Sequence, residues 1–251
     1  MATVTQKLNQ IKAIKDDLRS AINSASSAEV VTHAEPFRNY PDLLRDNAVG
    51  GSTGYTSLFS ITGDFTNYPH NIGSVLISKE LVSIPEGAFV ASTDQTAFFC
   101  VVKNLVFTGS LNRIGQNAFY GWTSLITITF QGNVIEIQDS AFEFCVKLES
   151  VIFPDGLITL GERAFFNNMQ LGLIDIPSTI QSIGRECFLN IKTDGAVIYV
   201  RAMTPPTLLG KNCLGDPQFS SVIYVPQDAL SAYLNAGGEW ANYASKIQPI
   251  L

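Results

Sequence analysis

Apolar residues recur along the middle of the chain with a period of 23 residues. Phe119, Phe142, Phe165 and Phe188 are each 23 residues apart, and a small residue, Ala or Cys, precedes each of them. Phe89 stands 30 residues before Phe119, which leaves room for an insertion of seven residues in that copy. An apolar residue also lies five positions before each Phe: Ile84, Ile114, Ile137, Leu160 and Ile183. Self-similarity at a fixed period predicts a repeat architecture of stacked coils.

Each repeat ends in an alternation that is typical of a short β-strand. In Leu125–Phe130, this alternation points Ile128 and Phe130 inward and Thr127 and Thr129 outward. Because one coil cannot bury its own apolar side, neighbouring coils must stack, and their strands then form a parallel sheet. The sequence therefore predicts an α/β repeat solenoid, with repeats of about 23 residues and a short parallel β-sheet.

The chain divides into four predicted parts. Residues 1–27 are predicted to form an amphipathic helix for anchoring or oligomerisation, with a seam of Leu8, Ile11, Lys15, Leu18 and Ile22. Residues 28–57 are a linker with a short accessory turn, and residues 58–225 form the solenoid. Residues 226–251 are the C-terminal helical cap, because an open end would expose core and strand edges.

Finer expectations concern the two ends of the solenoid. In the cap, we expect Asp228 to begin a short helix by capping its N-terminus. Trp240, Tyr243 and Ile247 follow as a second apolar face at helical spacing. At the other end, Val75 is expected in the strand of an earlier coil, and residues 58–65 are a candidate for one further coil.

Two copies of the repeat read IQDSAFEFCVKLESVIFPDGL at 137–157 and LGERAFFNNMQLGLIDIPSTI at 160–180. They resemble the BspA-like type of leucine-rich repeat, known from bacterial surface antigens. The resemblance covers about residues 75–250 and implies leucine-rich repeats with a capped C-terminus. It names no ligand, since such repeats bind many partners or only space other parts.

A second resemblance concerns the segment before the repeats. It is similar to the N-terminal segments of virion structural proteins in phages of gut bacteria. The usual glycine between its halves is missing, and residues 24–27 stand in its place. The matching positions are Leu8, Ile11, Lys12, Leu18, Ala21, Ile22, Pro36, Phe37, Tyr40, Pro41 and Leu44. This resemblance implies a place on a virion.

Composition and charge argue against several classes of protein. The net charge of −6 makes a nucleic-acid partner unexpected. The sequence contains no stretch of about 18 apolar residues, so we expect no membrane insertion. The charged start MATVTQKLNQIKAIKDDLRS lacks the apolar run of a secretory signal, so we expect synthesis in the host cytoplasm. Four Cys without a Cys-x-x-Cys pair and two separated His indicate neither a disulfide framework nor a metal or cofactor site.

One catalytic motif matches formally. Residues 50–54, GGSTG, fit G-x-S-x-G with Ser52 as the nucleophile. That motif needs a buried strand before it and a helix after it, and the flanking RDNAV and YTSLFS supply neither. We therefore expect no enzymatic activity.

The outward strand positions form the candidate binding face: Val106, Thr127, Thr129, Ser150, Ile152, Leu173, Asp175, Tyr199 and Tyr224. This face contains many apolar side chains, and exposed apolar patches usually mark interaction sites. We therefore expect a partner to cover it. The alternative is that another subunit or the N-terminal segment covers it. We expect the main contact near Tyr199 and Tyr224, because aromatic side chains supply large contact area with a polar tip.

These patterns lead to one preferred function and two alternatives. The preferred hypothesis is a non-enzymatic phage virion structural protein, a fibre, decoration or host-contact module. Its partners would be other virion proteins, its own copies, or a host surface protein or glycan. The first alternative is a bacterial leucine-rich repeat protein for binding or adhesion, outside any virus. An enzyme such as a polysaccharide-degrading tail protein is the weakest, because no catalytic constellation is found.

The N-terminal seam generates a prediction about self-association. A single helix of this length is marginal in water, so the seam of residues 1–27 needs a partner. We predict that the full-length protein self-associates, as a trimer rather than a dimer, and that removal of residues 1–27 leaves a folded monomer. Light scattering on both proteins measures this. If the full-length protein is monomeric, the partner of the seam is another virion component. If the protein without residues 1–27 is still oligomeric, the interface lies on the repeats.

Overall fold

The computed structural model describes residues 59–63, 72–77, 82–91 and 102–250. The predicted N-terminal helix at 1–27 and the linker at 28–57 lie outside these residues.

Most of the regular secondary structure in the described residues consists of short strands, joined by turns. They are β1 (Phe59–Gly63), β2 (Ile72–Ile77), β3 (Ser83–Ile84), β4 (Asn104–Phe107), β5 (Leu111–Ile114), β6 (Thr127–Phe130), β7 (Val134–Ile137), β8 (Ser150–Ile152), β9 (Thr159–Leu160), β10 (Leu173–Ile176), β11 (Ser182–Gly184), β12 (Asp194–Val200), β13 (Thr207–Leu209), β14 (Ser220–Pro226) and β15 (Ile247–Ile250). Two strands per coil alternate between two sheets, so the chain winds as a solenoid.

The strands form two sheets, where the sequence predicted one. The large sheet has the order β1-β2-β4-β6-β8-β10-β12-β14-β15, and all its pairs from β2 onward are parallel. The small sheet has the order β13-β11-β9-β7-β5-β3 and is parallel throughout. Its strands contain the apolar column that lies five residues before each Phe. Strands of two to four residues are too short to show alternation, which is why that column gave no strand signal.

A stack of phenylalanine rings fills the space between the sheets. The rings of Phe89, Phe119, Phe142, Phe165 and Phe188 lie nearly parallel, with successive centroids 5.1 to 5.5 Å apart. All five side chains are buried. The Phe142 N–H donates to the Ala164 carbonyl oxygen at 2.8 Å, and the same bond recurs between the other coils. The 23-residue period therefore places one ring and one backbone hydrogen bond per coil.

A residue in the left-handed backbone conformation forms the corner of the chain before each stacked phenylalanine. The residue two positions before each Phe has a φ of 54° to 60°: Gly87, Asn117, Ser140, Arg163 and Glu186, with Asn212 at the equivalent place in the last coil. Gly and Asn adopt this backbone conformation readily, whereas Arg and Glu do so at a cost. The demand for a sharp corner therefore overrides local preference in two coils.

The first strand departs from the repeat. Val75 and Ile77 are buried in β2, which pairs in parallel with β4, so the expected strand of an earlier coil is present. β1 falls within residues 58–65, but it pairs antiparallel with β2 and is therefore not a further coil.

The C-terminal helix is present, but its first turn differs from the prediction. A 3-10 turn at Gln227–Ala229 leads into α1 (Leu230–Leu234), and no side chain caps either start, so the expected capping by Asp228 is wrong. Asp228 lies inside this turn, and the position before the turn is Pro226, whose side chain has no hydrogen-bonding group, so a side-chain cap cannot form there. None of the described helices is long and apolar enough to cross a membrane.

Aromatic side chains fix the cap on the last coils. The hydroxyl of Tyr233 donates to the Ala202 carbonyl at 2.8 Å, and the Trp240 indole N–H donates to the Pro206 carbonyl at 2.9 Å. Trp240 and Tyr243 belong to a 3-10 helix at Gly238–Lys246, whereas Ile247 begins β15 rather than continuing a helical face. The cap thus ends by adding one more parallel strand to the large sheet.

The phenylalanine stack predicts a large effect of one substitution. Phe142→Ala should lower the free energy of unfolding by about 3–5 kcal/mol, because it removes burial and leaves a cavity between two stacked rings. Thr129→Ala, at an exposed position, is the matched control and should change it by less than about 0.5 kcal/mol. Chemical denaturation of both variants measures this. An effect of Phe142→Ala no larger than that of the control would show that the ring does not lie in the core.

Candidate binding face of the large sheet

The large sheet presents the predicted outward positions in straight rows. Side chains alternate along each strand, so that Leu105 and Phe107 of β4 are buried while Asn104 and Val106, which alternate with them, are not. Parallel pairing aligns one row as Asn104, Thr127, Ser150, Leu173, Val197 and Val222. Asp175 pairs with Ile152 on one side and with Tyr199 on the other, and Tyr199 pairs with Tyr224. The predicted positions therefore lie side by side in rows across the sheet, and their role in binding stays a prediction.

The face changes character along the solenoid. At its polar end, the Thr127 hydroxyl donates to Asn104 Oδ1 at 2.7 Å, and Thr129 is exposed. Near its middle, Ile152 is 60% exposed and Leu173 is 39% exposed. These two apolar side chains lie on neighbouring strands and are exposed to solvent. They form an apolar patch at the centre of the face.

A charged and aromatic cluster borders the apolar patch. Arg201 Nε and Nη2 donate to the two oxygens of Asp175, each at 2.6 Å. The Arg201 guanidinium lies 5.5 Å from the Tyr199 ring centroid, and the Tyr199 and Tyr224 rings stack at 5.2 Å. The hydrogen bonds that Arg201 donates to Asp175 raise the pKa of Arg201. The pair holds both charges in a fixed, two-bond geometry beside the tyrosine stack.

Arg201 is the residue of this cluster that the sequence analysis did not identify. It follows β12 directly and is two positions from Tyr199, so strand alternation carried one step further would have placed both on one face. Asp175 was predicted as a contact residue, but its side chain is only 18% exposed and both oxygens bind Arg201. Its place in the cluster is to orient the guanidinium.

Reactive groups elsewhere are buried or lie outside the described residues. Cys145, Cys187 and Cys213 are buried free thiols, and burial raises the pKa of Cys213 to about 11. Such thiols pack as small apolar side chains. Among the described residues, no group of three or more His, Cys, Asp or Glu side chains is placed to hold a metal ion. The G-x-S-x-G segment at 50–54 and the seam residues of the N-terminal helix fall outside the description.

Comparison with known proteins agrees with this geometry. Residues 93–200 match the family model of the BspA type leucine rich repeat region, in six copies. Together with the two parallel sheets, this match identifies the fold as a leucine-rich repeat solenoid. None of the curated proteins matches the chain.

Several solved structures are similar to the chain. A leucine rich repeat protein of T. pallidum is 15% identical, with 64% of this chain and 87% of that chain covered and a TM-score of 0.39. A leucine rich cell surface protein of Faecalibacterium prausnitzii A2-165 is 18% identical, with 70% and 55% covered and a TM-score of 0.40. The pneumococcal vaccine antigen PcpA is 17% identical, with 71% and 51% covered and a TM-score of 0.49. The chain thus spans about half the length of the last two.

Proposed function

We propose that this chain is a non-enzymatic binding or adhesion module that contacts its partner through the outward face of the large sheet. The observation that carries the proposal is the cluster of Asp175, Arg201, Tyr199 and Tyr224 beside the exposed apolar patch. Tyrosine and arginine are enriched where partners bind, and they supply most of the binding energy in many interfaces.

The electrostatics of the cluster support a partner that is not strongly charged. The charges of Asp175 and Arg201 neutralise each other through two hydrogen bonds. The rest of the outward rows, from β4 to β14, consists of hydroxyl, amide, aromatic and aliphatic side chains. An uncharged protein surface or a neutral glycan fits such a face better than a polyanion does, because a polyanion needs several free cations.

The virion hypothesis is a finer proposal that depends on a different part of the chain. It rests on the resemblance of the segment before the repeats, at residues that the structure does not describe. A bacterial surface protein outside any virus suits the described solenoid equally well. The neighbouring genes separate the two: capsid, portal and tail genes would support the virion hypothesis, and a neighbourhood of cell-surface genes would contradict it.

The binding face generates a prediction about two tyrosines. The double variant Tyr199→Ser/Tyr224→Ser should lose binding at least tenfold, since it removes the stacked rings, while its melting temperature stays nearly unchanged. Protein and glycan arrays probed with the wild-type chain would identify a ligand, and titration would then compare the variant. Leu209→Ser changes an exposed side chain of the small sheet, outside the outward face, and is the matched control that should bind like the wild type. Full binding by the double variant would place the contact elsewhere.

A further inference from the structure

The outward face of the large sheet is long and narrow. Its side chains form two rows about 7 Å apart, because they are two residues apart on each strand. The five strands β6, β8, β10, β12 and β14 present these rows over about 20 Å, at about 4.8 Å per strand. We call the outward side chains of these five strands the strip. It is too small for the roughly 800 Å² per partner that a stable contact between globular proteins buries. It fits a single α-helix, whose diameter with side chains is about 10–12 Å.

Apolar side chains occupy most of the strip. Ile152 and Leu173 are exposed on neighbouring strands. The row of Leu173 continues with the half-buried Val197 and Val222, and the row of Ile152 ends in the stacked tyrosine rings. Covering such side chains is favourable in proportion to the apolar area removed from water. The strip therefore favours the apolar side of an amphipathic helix.

The predicted N-terminal helix has a matching spacing. The first and last residues of its seam, Leu8 and Ile22, are 14 residues apart, which is about 21 Å along a helix axis. Five seam positions over this length give one side chain about every 5.3 Å. On the strip, the stacked rings of Tyr199 and Tyr224 from neighbouring strands are 5.2 Å apart. A helix lying along the solenoid axis would thus place one seam side chain on each of the five strands.

The charged residue of the seam coincides with the carboxylate of the strip. Lys15 is the third of five seam positions and β10 is the third of five strands, so Lys15 would lie over β10 in either direction of the helix. β10 carries Asp175, whose two oxygens each accept one hydrogen bond from Arg201. A carboxylate has about four acceptor sites, so two remain for the Lys15 ammonium.

Charge and reach both favour docking of residues 1–27 on their own chain. These residues contain four Lys or Arg and two Asp or Glu, whereas the rest of the chain contains twelve and twenty, so the two parts attract each other. The described residues start with β1 at the edge of the large sheet, five strand spacings or about 24 Å from β10. Residues 28–58 can extend to about 100 Å, so they can span this distance. The connection makes the contact intramolecular, which favours it over the same contact between separate copies.

We propose that residues 1–27 form a helix that covers the strip of the same chain, with one seam side chain per strand and Lys15 beside Asp175. This inference rests on the proposed function, because it names a partner for the same face, and any outside partner has to displace the helix. It is the alternative to the self-association predicted from the seam alone. In a monomeric full-length protein, the strip rather than another virion component would then cover the seam.

Photocrosslinking of the full-length protein tests the proposal. Ile11→p-benzoylphenylalanine places a photoreactive group in the seam, and Ser20→p-benzoylphenylalanine places the same group on the opposite side of the predicted helix as the matched control. Mass spectrometry after illumination and digestion should show position 11 joined to outward residues of the large sheet. Position 20 should give at least fivefold less of these products. In a mixture of ¹⁵N-labelled and unlabelled copies, both peptides of each product should carry the same label.

A pair of isoleucine variants tests the strip itself. Ile152→Glu, combined with the photoreactive group at position 11, should reduce these products at least fivefold while the melting temperature stays nearly unchanged. Ile135→Glu is the matched control, because Ile135 is 46% exposed on the small sheet, and it should leave the products unchanged. The proposal is overturned if position 11 joins position 11 of another copy, if the products on the strip carry mixed labels, or if position 11 does not join the strip.

This result can be told apart from that of the proposed function. If position 11 does not join the strip while Tyr199→Ser/Tyr224→Ser still loses the ligand found on the arrays, the helix proposal fails and the binding function stands. If the double variant binds that ligand fully, the proposed function fails, whatever products position 11 gives.

Discussion

Successive coils pack closely along the solenoid axis, and their spacing limits what every part of the interior can contain. Parallel strands of neighbouring coils must lie about 4.8 Å apart, so every buried group has to fit that step. The phenylalanine rings meet it by stacking with centroids 5.1 to 5.5 Å apart. Glycines meet it where backbones touch: a Cβ on Gly184 would lie 2.6 Å from the Gly161 carbonyl oxygen, and one on Gly115 would lie 2.6 Å from the Glu86 nitrogen. The interior is therefore nearly identical from coil to coil.

The surface is free of that constraint, and there the coils differ from one another. The outward rows run from Thr127 and Ser150 to Tyr199 and Tyr224, and all the strand pairs between them are parallel. On the turns, the same position is Gly, Phe or Asn in successive coils. A uniform interior with varied faces is a scaffold that places side chains at a regular spacing.

The sequence predicted the structural features that recur from coil to coil, and it did not predict the features that are found in a single coil. The phenylalanine stack and the outward rows follow from a period that several copies share. The bond between Asp175 and Arg201 occurs in one place, so no column revealed it. The left-handed Phe144 and the antiparallel β1 are likewise single departures from the pattern. The small sheet was missed for another reason: its strands are too short for alternation, and backbone pairing between coils, rather than side-chain pattern, defines them.

Two glycine substitutions measure how strongly close backbone packing between coils controls the stability of the fold. In Gly184→Ala, the added Cβ meets the rigid backbone of Gly161, so the free energy of unfolding should fall by about 1–3 kcal/mol. In Gly172→Ala, the only tight contact of the added Cβ is with the flexible Lys192 side chain, at 3.0 Å from Cδ, so stability should stay within about 1 kcal/mol of the wild type or rise. Chemical denaturation of the three proteins gives both values. Equal stability of the two variants would contradict the account, because close backbone packing between coils would then not control the fold.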